Sequence, residues 1–129
     1  MHLHAALITA LNSILVFIAM AVVGRARGRH QIKAPAVTGN PDFERAFRAH
    51  QNTLEQTVMF LPVLWLASIY ANEQYAAWLG YAWLLGRLWY IYGYVKAADS
   101  RGGGFTLAIA AWAGLLLLSL KGLVSLMLA

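Results

Sequence analysis

Long apolar stretches alternate with short polar ones along the chain, and that alternation predicts four helices. From about residue 3 to residue 24 the only polar side chains are His4, Thr9, Asn12 and Ser13, so this run of roughly twenty residues is long enough to cross the hydrocarbon core of a bilayer. The segment that follows, GRARGRHQIKAPAVTG, is basic and broken by Gly28 and Pro35, which predicts a water-facing connection. Asn40 then offers an N-cap with Pro41 at the first helical position, and Asp42 and Glu44 sit in the positive first turn. This second helix runs to about residue 71, carries no charge from Thr57 to Ala71, and holds Pro62, which predicts a bend. Asn72-Glu73-Gln74 forms a short turn into a third, aromatic-rich span, and KAADSRGGG separates that span from a fourth, interrupted only by Lys121. The expected spans are therefore about 3–24, 42–71, 75–96 and 105–128, within a single domain covering 1–129. The fold class is an all-α, integral membrane four-helix bundle.

Composition agrees with this picture, since 60% of the 129 residues are apolar and only 12% are charged. The opening MHLHAA lacks the basic start of a signal peptide, so the first apolar run reads as a span that is retained. Absence of cysteine excludes disulfides, cysteine-ligated metals and any cysteine nucleophile. A thiol, if one is used, must be brought in. The net charge of +5 does not point to nucleic acid, because the basic residues flank apolar runs instead of covering a soluble face. Arg25, Arg27, Arg29, Lys33, Arg45, Arg48, Lys96 and Arg101 all fall in or beside the first-to-second and third-to-fourth connections. The positive-inside rule then makes loops 25–41 and 96–104 cytoplasmic and puts both termini on the non-cytoplasmic side of a multi-pass protein.

Charged side chains within spanning helices cost roughly 2.5 to 3.5 kcal/mol each on insertion scales and therefore call for partners. On the second helix Arg45, Arg48, Asn52 and Glu55 recur at spacings of three, four and three, forming one polar stripe. One reading is an ion-pair network that clips the bundle together, with Arg48 on Glu44 and Glu55 taking a charge-assisted hydrogen bond from Arg87 on the third helix. The other is an anion site, because Arg27, Arg45, Arg48, Arg87 and Arg101 outnumber Glu44 and Glu55. Arg87, Tyr90 and Tyr94 form a second stripe aimed at the same end, with Arg101 seven residues beyond. No metal site is expected: His2 and His4 lack a third ligand near a frayed terminus, and His30 reads as solvated. Gly102-Gly103-Gly104 lacks the context of a phosphate loop and reads as a flexible turn, a hinge at most.

The run FERAFRAHQNTLE, from Phe43 to Glu55, resembles the signature of the MAPEG family, the membrane-associated proteins in eicosanoid and glutathione metabolism. The likeness rests on Phe43-Glu44-Arg45, Arg48, Asn52 and Glu55 after a Gly-Asn-Pro entry, and on Gly86-Arg87, Tyr90, Tyr94 and Arg101. It implies a homotrimer of four-helix subunits that binds glutathione as cosubstrate, without a metal, between neighbouring subunits. By position, Arg27, Arg48, His50, Asn52, Glu55, Tyr90 and Tyr94 would hold glutathione, and Arg45 and Arg87 would support them. Arg101 would take the catalytic role beside the sulfur, where a guanidinium lowers a thiol pKa from its usual value of about 8.5. His50 stands where some members have Gln, and Gln56 where the leukotriene-forming members have Tyr, so an eicosanoid substrate is not supported.

The resemblance thus implies a membrane glutathione transferase, with possible peroxidase activity, whose second substrate is a hydrophobic electrophile or lipid hydroperoxide entering from membrane lipid. A non-catalytic lipid-binding or scaffold protein of the same fold is the alternative, against which Arg101 together with Tyr94 favours the enzyme. A small transporter is less attractive, because the buried charges cluster at one end instead of lining a path.

Overall fold

The computed structural model describes residues Met1–Ala129 as four long helices and one short turn of 3-10 helix. The helices are α1 (Leu3–His30), α2 (Pro41–Tyr70), α3 (Glu73–Lys96) and α4 (Gly102–Leu128), with the 3-10 turn at Ala98–Arg101. α1 and α4 each pack against both α2 and α3, giving an up-and-down bundle. The stretches Leu3–His30, Pro41–Tyr70 and Ala98–Leu128 are long and apolar enough to cross a membrane. α3 has comparable length but mixes many Trp, Tyr and Gly residues with its aliphatic side chains, around one arginine.

Side chains at the helix starts explain where those helices begin. Asn40 Oδ1 accepts from the backbone N–H groups of Asp42 at 2.9 Å and Phe43 at 3.2 Å, with Pro41 next to it at the first helical position. Asn72 does the same for α3, accepting from the Tyr75 N–H at 2.9 Å. At its other end α1 outruns the expected boundary near residue 24 and continues to His30. The arginines expected in a loop therefore occupy the last two turns of a helix, where cations oppose the negative end of its dipole. Gln31 closes it in the left-handed conformation at φ 54.

The core is a continuous apolar column containing Ile8, Leu15, Phe60, Leu64, Trp83 and Leu115, all essentially inaccessible. Phe60 and Trp83 stack face to face with ring centroids 3.8 Å apart. Outward-facing positions are also apolar, including Leu7, Ile14, Phe17, Leu85, Trp89 and Leu117, as expected of a bundle surrounded by lipid. The amino terminus is held, not frayed: His2 Nδ1 lies 2.9 Å from Ser68 Oγ and His4 Nδ1 lies 3.0 Å from Tyr81 Oη.

The glycine triplet is likewise no hinge, since all three residues form the first turn of α4. Gly104 is buried against α3 so closely that a Cβ there would overlap the Tyr90 backbone nitrogen and stand 2.7 Å from the Gly86 carbonyl oxygen. Gly86 reciprocates, its missing Cβ leaving room for the backbone of Ala108. Small residues are what allow two membrane helices to approach at backbone distance. Gly104→Ala should therefore separate α3 from α4 and destabilise the protein by roughly 1–3 kcal/mol, the usual cost of overpacking. Thermal melting in detergent would show this as a lowered midpoint, and an unchanged midpoint would mean the helices can part freely.

Candidate functional site

One end of the bundle gathers the carboxyl ends of α1 and α3 and the amino ends of α2 and α4. There α2 presents Glu44, Arg48, Gln51, Asn52 and Glu55 toward Tyr90 and Tyr94 of α3 and toward Arg101, closing a crevice of about 440 Å³. Thr38 and Val37 from the α1–α2 connection rim it. A smaller hollow of about 240 Å³ continues from it past Asn52, Tyr90 and Arg101 to Phe105 on α4. Helical spacing accounts for the α2 wall, because residues 44, 48, 51 and 55 follow one face of a helix.

Beneath this crevice lies Arg87, fully buried among the helices. Its Nη2 donates to Asn52 Oδ1 at 3.0 Å and to Thr53 Oγ1 at 2.7 Å, while its guanidinium carbon sits 4.1 Å from the centroid of the Tyr90 ring. Tyr90 and Tyr94 follow with centroids 5.6 Å apart, and the Arg101 guanidinium carbon stands 5.3 Å from the Tyr94 centroid. Two guanidiniums thus bracket two phenol rings in a row running from the protein interior to its surface. Thr53 also donates to the Ala49 carbonyl at 2.8 Å, which fixes the hydroxyl that Arg87 uses. Arg87 Nε and Nη1 have no partner.

Six of the side chains expected to form a site come together here: Arg48, Asn52, Glu55, Tyr90, Tyr94 and Arg101. Two expected pairings are absent. Glu55 does not bond Arg87, because Glu55 is exposed on the crevice wall whereas Arg87 is buried and spends only its Nη2, on the neutral oxygens of Asn52 and Thr53. Arg48 and Glu44 line the crevice without forming an ion pair; Arg45 pairs with Asp42, and His2 Nδ1 lies 3.8 Å from a Glu73 carboxylate oxygen. Nor does the whole stripe of α2 face one way. Arg45 turns into a separate cavity toward α1, lined also by Arg25, Arg29 and Lys96. The excess of cation inferred for one site is therefore divided between two, and the crevice itself holds two arginines and two glutamates.

Arg27 and His50 lie off the crevice within one chain. Arg27 Nη1 donates to the carbonyls of Ala36 at 2.7 Å and Ile32 at 3.4 Å, and its guanidinium covers the Phe43 ring at 4.8 Å, so it ties down the α1–α2 connection. His50 is half-buried on α2 and touches neither hollow. Sequence reasoning missed Gln51, Phe47 and Thr38 on the crevice wall and Thr53 behind it. Gln51 was within reach of the same argument, being three residues from Arg48 on the polar face. Thr53 gave no such signal.

The MAPEG family model matches residues 5–121. An uncharacterized protein of Synechocystis sp. is 51% identical over 105 residues, which cover 81% of this chain and 77% of that protein. Human microsomal glutathione S-transferase 2 is 44% identical over 101 residues, 78% of this chain and 69% of the relative. Leukotriene C4 synthase of Cavia porcellus is 43% identical over 77 residues, 60% of this chain and 51% of the relative.

Proposed function

This chain belongs to the MAPEG family, and we propose that it is a membrane-bound glutathione transferase, with glutathione peroxidase activity toward lipid hydroperoxides as a further capacity. The observation that carries the reading is the crevice that collects Arg48, Asn52, Glu55, Tyr90, Tyr94 and Arg101. Glutathione presents two carboxylates, one ammonium group, two amide groups and one thiol. Arg48 and Arg101 offer charge to its anionic parts, Glu55 to its ammonium group, and Asn52 with the tyrosines hydrogen bonds to its amides. Arg87 keeps Asn52 oriented from below.

In this reading Arg101 stands beside the sulfur and stabilises the thiolate. The thiolate attacks an electrophilic carbon of a hydrophobic substrate, and the bond to the leaving group breaks with its electron pair. Such a substrate enters from the lipid side, and the hollow lined by Asn52, Tyr90 and Phe105 beside Arg101 is suited to receive it. The protein acts as a homotrimer, and Arg27 and His50, which lie off the crevice in one chain, suit a contribution to the neighbouring subunit's glutathione. Loops 25–41 and 96–104 face the cytoplasm, as their arginines and lysine favour.

Isothermal titration in detergent should detect glutathione binding, and conjugation of an activated aryl halide should be measurable in the same preparation. Undetectable binding at millimolar glutathione would overturn the proposal. Arg48→Ala should weaken that binding by about tenfold, consistent with loss of one charge-assisted hydrogen bond of roughly 1.5 kcal/mol.

A further inference from the structure

The second cavity at the arginine end shares no residue with the crevice and has no role in the transferase reading. It measures about 520 Å³ and opens between the last turns of α1, the first turn of α2 and the end of α3. Arg25, Arg29, Arg45 and Lys96 line it, against a single carboxylate, Asp42. That carboxylate is already taken by Arg45, so Arg25, Arg29 and Lys96 face the cavity with no acid to pair with. Arg45 Nε is buried and bonds to nothing. An unpartnered buried N–H costs on the order of 1–3 kcal/mol, so Arg45 remains short of an acceptor even with Asp42 beside it.

The walls narrow the choice of anion. Between the cations stand Val22, Ala26, Ala46 and Val95, which offer nothing polar to a small hydrated ion. Leading up α1 from the cavity, Ile18 and Leu11 repeat at seven-residue spacing above Arg25 and are 40% and 37% exposed. A charged mouth thus continues into an apolar strip on the outside of a membrane helix. We propose that this cavity binds the phosphate-bearing headgroup of an anionic lipid, with the acyl chains lying along the Leu11 and Ile18 face of α1. Paired guanidiniums suit phosphate oxygens, and basic pockets between membrane helices hold lipid headgroups in this way.

Native mass spectrometry of the full chain released from nanodiscs tests this directly. Nanodiscs of phosphatidylcholine containing a minor fraction of phosphatidic acid should yield protein that retains phosphatidic acid in preference to phosphatidylcholine. Arg25→Gln combined with Arg29→Gln should reduce that preference by about twenty-fivefold, taking roughly fivefold for each basic residue at an anionic headgroup. The matching pair Arg25→Lys and Arg29→Lys should retain most of it. Conjugating activity should be unchanged in both, because neither residue belongs to the crevice. Should the glutamine pair not give folded protein, Lys96→Gln at the exposed end of α3 should still lower the preference about fivefold. Equal retention of both lipids by the wild-type chain, or identical retention by wild type and variants, would overturn the proposal. A parallel titration with inorganic phosphate separates the sources: if phosphate alone occupies the cavity and no lipid is carried, the lipid assignment fails.

Discussion

Arg101→Ala should leave glutathione affinity within a few-fold of wild type yet remove nearly all thiolate from the bound cosubstrate at neutral pH. A thiol with a pKa of about 8.5 is only about 3% ionised at pH 7, and an adjacent guanidinium lowers such a pKa by about 1–3 units. Arg101 is suited to that task because its charge is not consumed by a carboxylate and rests only against the Tyr94 ring. Its removal should therefore abolish the ultraviolet absorbance of the bound thiolate at pH 7. Turnover should fall far less, by about threefold, because a more basic thiolate is also the better nucleophile, with a Brønsted slope of about 0.4–0.5. The sign with pH follows. The variant should recover activity as pH rises toward about 8.5 and the unassisted thiol ionises, whereas the wild type should already be near its plateau. A variant whose thiolate absorbance matched wild type at pH 7 would remove Arg101 from the chemistry.

The second large effect should come from Arg87, and two substitutions separate its two contributions. Arg87→Ala deletes a fully buried side chain, leaves Asn52 Oδ1 without its donor and opens a cavity behind Tyr90. Losses of that kind amount to roughly 3–5 kcal/mol, which for a chain of this size lowers the melting midpoint by about 10–20 °C. Arg87→Met keeps most of the volume and also removes a buried cation whose Nε and Nη1 are unpartnered. Replacing a buried charge by an apolar group of similar volume is often neutral or stabilising. The methionine variant should melt close to wild type while binding glutathione about tenfold more weakly, since Asn52 is no longer held. If both variants bind glutathione normally, Arg87 is a packing residue alone.

Much of the fold could be read from local chemistry, because its signals are local. Asn40 and Pro41 mark the start of α2 in sequence as they do in space, whereas Asn72, expected in a turn, caps α3 and starts it at Glu73, two residues ahead of the expected 75. The end of α1 was misplaced because polarity marks where a chain meets water, whereas a helix stops only where its backbone is redirected. Nothing redirects it until Gln31. Gly102–Gly104 read as a hinge for a related reason. Glycine signals freedom when its neighbours are unknown, and here the backbone of α3 fills the space a side chain would need.

The site divided along the same line. Spacing within α2 and within α3 grouped Arg48 with Asn52 and Glu55, and Tyr90 with Tyr94, because side chains three, four or seven apart share a helix face. Pairing across helices was not legible. Arg87 could have met Glu55, but relative height and rotation of α2 and α3 bring it to Asn52 and Thr53 instead. Likewise, three residues separate Arg45 from Arg48, and the modest rotation this implies is enough to send one toward α1 and the other toward α3.

The close seat of Gly104 also sets the tempo of the residue three positions before it. A Cβ on Gly93 would overlap the Ser100 carbonyl oxygen, so the 3-10 turn rests directly on the last turn of α3, just as the first turn of α4 rests on Tyr90. Arg101 lies between these two points of backbone contact. If Arg101 serves the thiolate as proposed, turning its own side-chain bonds, ordinarily a picosecond-to-nanosecond event, should be enough to reach the sulfur without the swing of a lid. Turnover in this protein should consequently be limited by chemistry or product escape and be insensitive to solvent viscosity at the step where the thiolate forms.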